Sequence, residues 1–119
     1  MTAVTQHTGR FGEQIATRFL RESGYAILGR NWRCAQGELD IIARDGPVVV
    51  FCEVKTRRSE RFGPPEEAVN AAKMKKLRAA ASQWLAKSNL HRVGVRFDVL
   101  SVRPHSCGPA DVEHFIGVF

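Results

Sequence analysis

The sequence is short of several things, and each shortage narrows the choices. No apolar run approaches the ~20 residues needed to span a bilayer, and the opening "MTAVTQHTGRFGE" has no apolar core of the kind a secretion signal carries. The chain is therefore expected to be neither exported nor membrane-embedded, and the cytoplasm is its expected location. Cysteine is scarce and odd in number: Cys34, Cys52 and Cys107 form no CxxC pair, which argues against a disulfide framework or a zinc site and fits a reducing compartment. His7, His91, His105 and His114 are scattered without an HExxH pattern, and "HSC" at His105 to Cys107 reads as a loop. Repeats, low-complexity tracts and linkers are missing too. At 119 residues one domain over 1–119 is expected, with residues 1–8 a flexible N-terminus. Negative charge is in deficit: 12 Asp and Glu against 18 Lys and Arg leave a net +6 and a pI near 9.8, a balance that favours a polyanionic partner.

What is present falls into clear periodic segments. Phe11, Ile15 and Phe19, with Gly12, Ala16 and Leu20 beside them, predict a helix over about 9–23 that Gly24 ends. Glu13 lies at the margin of its apolar face. "YAILGRNWR" (25–33) predicts a first strand, with Gly29 marking a bulge. "GELDIIARDGPVVVFCEVKTR" (37–57) predicts two strands joined by a turn at Asp45 and Gly46. "RRSERFGPPEE" predicts a mobile loop leading into a second helix over about 65–87. Met74, Leu77, Ala81, Trp84 and Leu85 would cover the sheet there, with Lys73, Lys75, Lys76 and Lys87 on its flanks. "VGVRFDVLSV" and "VEHFIGVF" supply the last strands. The order α-β-β-β-α-β-β predicts an α/β domain: a central mixed sheet flanked by helices, with a crossover between the third and fourth strands.

The hairpin carries the chemistry. Side chains alternate faces along a strand, so Glu38 and Asp40 share one side, as do Glu53 and Lys55. A turn at Asp45 and Gly46 would set Asp40 opposite Phe51 and Glu38 opposite Glu53. All four charged residues would then lie on one face, with Asp40 diagonal to Glu53 and their Cβ atoms about 7 Å apart. Two carboxylates that close need a counter-charge. Lys55 offers one, and hard oxygen donors without His or Cys suit Mg²⁺ or Mn²⁺. Ordinary cross-strand ion pairs would produce the same alternation, but the charges sit only at the C-terminal end of an otherwise apolar strand, where α/β sheets collect ligands.

These residues resemble the Asp...Glu-x-Lys signature of the PD-(D/E)XK nuclease superfamily. The blocks "GRFGEQIATRFLRESGY", "GRNWR", "GELDIIARD", "FCEVKTRRSERFGPPEEAV" and "VRFDVL", in this order, resemble the bacterial YraN family of that superfamily. The resemblance implies a restriction-endonuclease-like core similar to that of archaeal Holliday junction resolvases, and a metal-dependent endonuclease acting on DNA, branched DNA included. It implies Asp40, Glu53 and Glu13 as metal ligands together with the backbone carbonyl of Val54, and Lys55 as the catalytic lysine. The superfamily motif has a proline before its first Asp, where this chain has Leu39. The basic "KTRR" suits backbone contacts to nucleic acid, and Arg57, Arg58, Lys73 and Lys76 are the expected binding residues. Glu38 stays open between a base, a ligand and a partner of Arg57. Asp98 is expected in a structural ion pair. Resolvases of this fold work as homodimers, so a homodimer is a further expectation, although no dimer surface is legible. A silent nucleic-acid-binding module, a protein-binding domain and acid–base chemistry on a small molecule through Glu38 and Glu53 remain as alternatives.

Overall fold

The computed structural model describes the backbone of residues 3–57 and 70–118 and the side chains from residue 10 onward. Helix α1 (Ala3–Glu22) is followed by strands β1 (Ala26–Cys34), β2 (Gly37–Asp45) and β3 (Val48–Thr56), helix α2 (Ala71–Lys87), and strands β4 (Gly94–Arg103) and β5 (Asp111–Phe115). The five strands form one mixed sheet in the order β1-β2-β3-β4-β5, antiparallel except for the parallel β3–β4 pair. Among the described residues no helix is long and apolar enough to cross a membrane.

Helix α1 begins at Ala3, inside the stretch expected to be flexible. Its C-terminus follows the chemistry of glycine: Gly24, at φ 94°, donates to Arg21 O at 3.0 Å and Tyr25 N donates to Leu20 O at 2.9 Å. This pairing satisfies two otherwise orphaned carbonyls. Helix α2 starts at Ala71 behind an Asn70 N-cap, whose Oδ1 accepts from Lys73 N at 2.9 Å. The expected start near Pro65 and the expected mobile loop lie outside the described residues.

The sheet is buried on both sides. Ala16 and Leu20 of α1 pack on Ile41, Ala43, Val50, Cys52, Leu100 and Val102. Leu77, Ala80 and Ala81 of α2 pack on Ile42, Val49, Phe51 and Phe97 on the other face, where Trp84 meets Phe51 edge-on. Burial on both faces explains why "VVVF" reads as a continuous apolar run rather than an alternating one. Phe11, expected in the core, is instead 48% exposed; it lines a groove with Ile15, Phe19, Pro109 and Val112.

The hairpin register differs from the expected one. Asp45 pairs with Val48 and Ile41 with Cys52, so the two turn residues are Gly46 and Pro47, not Asp45 and Gly46. Gly46 takes φ 57°, the conformation a first turn position demands. Pro47 has no N–H to give a ladder and so belongs in the turn. The displacement is two residues, an even shift that preserves alternation along the paired residues; Leu39, expected on the face of Ile41 and Ala43, packs instead with Ile42 on the α2 side. The shift also brings Asp40 level with Glu53 instead of diagonal to it.

One close approach locks α1 onto the sheet beside this hairpin. A Cβ added at Gly12 would collide with Thr56 Oγ1. Gly→Ala inside a helix ordinarily stabilises by about 1 kcal/mol, yet Gly12→Ala is expected to lower stability by about 1–3 kcal/mol through overpacking. Thermal unfolding should show the loss, with partial recovery in the Gly12→Ala/Thr56→Ala double variant. Equal or greater stability of Gly12→Ala would show that the contact is slack.

Candidate active site

The β2–β3 ladder ends at Ile41↔Cys52, and beyond it a side chain takes over a backbone role. Asp40 Oδ2 accepts the Val54 N–H at 2.9 Å. This bond ties Asp40 to the C-terminal end of β3, the central strand, where Glu53 and Lys55 project. Lys55 Nζ lies 3.4 Å from Glu53 Oε1, and Lys73 Nζ, reaching in from the first turn of α2, lies 2.6 Å from the same oxygen. Gly37, Glu38, Asp40, Glu53, Lys73, Lys76 and Leu77 line a cleft of about 210 Å³ at this point.

The electrostatics of the cleft are unusual for so small a protein. Burial, reinforced by the neighbouring Glu53 charge, pushes the Asp40 carboxyl up to about 7 against the Val54 hydrogen bond. Burial and the adjoining Lys73 amine pull the Lys55 ammonium below its ordinary value, with Glu53 opposing. Burial acts on Lys73 in the same direction, but its hydrogen bonds with Glu53 and Lys55 and the charges of Glu53 and Asp40 together outweigh this and hold it above the usual range. A carboxyl and an amine displaced toward each other are a common property of reactive sites.

Glu13 approaches from the α1 side. Burial raises its carboxyl, as do the charges of Glu38 and Glu53, while a hydrogen bond from the Asn31 side chain and the charge of Arg30 lower it. Asn31 sits in β1 at φ 51°, a left-handed conformation that Asn tolerates better than most residues. Within "GRNWR" nothing but its position marks Asn31. An Asn in the middle of a strand was the available signal.

The remaining expected site residues are placed as follows. Glu38 pairs with Arg33, Nε to Oε1 at 3.4 Å, because Arg33 lies directly across β1–β2 from it. Arg57 leaves β3 with its N–H donating to Val102 O at 2.8 Å. Lys76 lines the cleft one helical turn beyond Lys73. Lys73, also an expected nucleic-acid contact, is held on Glu53. Arg58 lies outside the described residues. Asp98, wholly buried, receives both Arg96 Nε and Nη2 at 2.9 Å, His114 Nε2 at 2.7 Å and Gly117 N at 2.9 Å, far from a catalytic arrangement and close to the structural ion pair expected of it.

As a metal site the cleft has suitable donors but not a finished cage. Its carboxylates are hard oxygen ligands of the kind that Mg²⁺ and Mn²⁺ prefer. Among the described residues, however, no three Asp, Glu, His or Cys side chains stand together closely enough to hold an ion. The Lys73 ammonium stands against Glu53 where a cation would go.

Comparison with known proteins gives a consistent family. The model of "Uncharacterised protein family UPF0102" matches residues 12–102. A UPF0102 protein of Frankia alni is 51% identical over 93% of this chain and 92% of its own length. One of Beutenbergia cavernae is 49% identical over 92% and 93%, and one of Syntrophotalea carbinolica is 48% identical over 100% and 96%. Among solved structures, Pyrococcus furiosus SfsA in complex with Ca²⁺ is similar at a TM-score of 0.40 and 16% identity, over 95% of this chain and 64% of that one. A likeness that distant carries no argument about function.

Proposed function

This chain belongs to the uncharacterised protein family UPF0102, and we propose that it is a metal-dependent endonuclease-like protein that hydrolyses phosphodiesters in DNA, branched DNA included. The names of the relatives specify no reaction, so the reading rests on the site. The observation that carries it is the meeting of Asp40 and Glu53 in one cleft at the end of the central strand, with Lys55 Nζ 3.4 Å from Glu53 Oε1 and the half-buried Asp40 carboxyl raised by desolvation and the charge of Glu53. The PD-(D/E)XK superfamily joins the same residue types in its signature. A restriction-endonuclease-like core, similar to that of archaeal Holliday junction resolvases, is the finer fold assignment that goes with this reading.

Asp40 and Glu53 would hold Mg²⁺ or Mn²⁺ together with the Val54 carbonyl and water; Glu13, whose carboxyl does not stand with theirs as a ready-made set, would join only by moving in from α1. Such an ion supplies Lewis acidity toward water and phosphoryl oxygens. Lys55 orients the attacking water and offsets negative charge at the phosphoryl group; burial has already stripped part of its solvent, which strengthens that electrostatic effect. Asp40 is held in place by Val54 N–H, so its orientation is set before any ligand arrives. Lys76, Arg57 and Arg58 contribute phosphate contacts, in keeping with the net charge of +6.

The purified protein should nick labelled DNA from a panel of linear, flapped and four-way substrates in Mn²⁺ and lose this activity on chelation. A second reading is a nucleic-acid-binding module without turnover, and one observation favours it: Lys73 already neutralises Glu53. DNA binding with no cleavage of any substrate in Mn²⁺ would select that reading over the first.

A further inference from the structure

Lys73 is the one residue of the cleft whose position conflicts with a metal centre, and the conflict is informative. Its Nζ stands 2.6 Å from Glu53 Oε1, closer than Lys55 at 3.4 Å to the same atom, and the Glu53 side chain is only 10% exposed. One buried carboxylate oxygen is thus shared by two ammonium groups. A divalent cation taking that oxygen would face both, and at such separations like charges repel strongly in a poorly solvated site. Lys55 is fixed on the same strand as Glu53, two residues on. Lys73 is different: it comes from another element, on a long flexible stem, and its side chain is 34% exposed.

The helix start is pinned by its cap, whereas among the described residues only the Nζ contact with Glu53 and Lys55 holds the end of the side chain. Asn70 Oδ1 caps the Lys73 N–H at 2.9 Å, so the backbone at this position is pinned. Lys76, three residues further on, lines the same cleft and makes no ion pair among the described residues. An ammonium released from Glu53 therefore stays at the cleft beside Lys76, where the backbone of a polyanion would run.

Resting on the metal-dependent reading above, we propose that Lys73 is the resident counter-cation of Glu53 and is handed from that carboxylate to a nucleic-acid phosphate when a divalent ion loads. Metal and DNA then load together. The ion frees Lys73 for phosphate, and phosphate draws Lys73 away from Glu53 and clears the carboxylate for the ion. Linkage requires the effect to be reciprocal.

The test measures binding, not turnover. Mn²⁺ affinity is taken by calorimetry on the wild type, Lys73→Gln, Lys73→Arg and Lys76→Gln. Lys73→Gln should bind Mn²⁺ about fivefold or more tightly than the wild type; Lys76→Gln, which removes the same charge from the same cleft without touching Glu53, should change it far less, and Lys73→Arg should stay near the wild type. In parallel, anisotropy of a labelled DNA duplex at constant ionic strength should show Ca²⁺ tightening DNA binding to the wild type and leaving Lys73→Gln unmoved. Equal effects of the two Gln variants, or no effect of Ca²⁺ on wild-type DNA affinity, would overturn the handover. Wild-type Mn²⁺ binding lost in Asp40→Asn but insensitive to Lys73 would leave the metal site standing and remove the handover alone. No Mn²⁺ binding by the wild type would remove both.

Discussion

Asp40→Asn should lose metal-dependent DNA cleavage by about 10²-fold or more and yet fold more stably than the wild type above neutral pH. The two effects have one cause. Asp40 is buried beside Glu53, and its carboxyl is raised to about 7, so ionising it in the folded protein opposes folding. For an acid raised on folding, the favourable contribution is complete below the unfolded value and is lost as pH rises through the folded one. The window therefore runs from about pH 4 to about pH 7. An Asn at this position keeps an oxygen for the Val54 N–H and carries no charge. Its stability advantage should be near zero at pH 4 and grow to about 1–3 kcal/mol by pH 8, less than the roughly 4 kcal/mol that the full shift would give without solvent screening. Glu53→Gln should lose cleavage to a similar degree without the gain, because it strips Lys55 and Lys73 of their shared partner. Urea unfolding at both pH values checks stability, and DNA anisotropy in the absence of metal checks that affinity, which comes mainly from the basic surface, is largely kept. Asp40→Asn with undiminished cleavage, in a preparation shown free of contaminating nuclease, would end the proposed mechanism.

The second large effect lies on the opposite face of the sheet. Asp98→Ala should destabilise the protein by about 3–5 kcal/mol, a substantial part of the 5–15 kcal/mol typical of a whole domain. Asp98 has no exposed surface and is met by Arg96, His114 and Gly117 N–H. Arg96 also donates to Tyr25 OH at 2.8 Å, and the His114 ring lies edge-on to Phe19 and Tyr25. One carboxylate therefore ties β4 to β5, to the residues after β5 and to the end of α1. Its removal leaves Arg96 and His114 without their buried acceptor, which costs more than never having had the pair. Burial pushes the Asp98 carboxyl upward, but the hydrogen bonds from His114, Arg96 and Gly117 outweigh it and hold it below the usual carboxylate range. A depressed acid contributes stability above its unfolded value, lost as pH falls through the folded one. The wild type should accordingly lose this contribution only in acid below about pH 4, and the gap between wild type and Asp98→Ala should close there. A urea midpoint for Asp98→Ala within 1 kcal/mol of the wild type at neutral pH would show the network to be dispensable.

How far the site could be read from the residues depends on the distance over which each feature acts. Asp40, Glu53 and Lys55 were identifiable because strand alternation is local and survives a register error of two. Even with the turn misplaced at Asp45 and Gly46, the right side chains faced the right way. The exact pairing does not follow from the Asp45-Gly46 dipeptide, because the missing N–H of Pro47 keeps it out of the ladder and moves the turn to Gly46 and Pro47.

The existence and order of the two helices, the double burial of β3 and the excess of positive charge were determined by the sequence by itself, since periodicity, run length and composition are properties of neighbours along the chain. Tertiary structure alone decided that Lys73 rests on Glu53, that Asn31 turns toward Glu13, and that Arg96 and His114 converge on Asp98. Apart from Arg96 and Asp98, which share β4, each of these joins residues of two different elements. Their partners are selected by how α1 and α2 seat on the two faces of the sheet, and no periodicity within a segment encodes that seating.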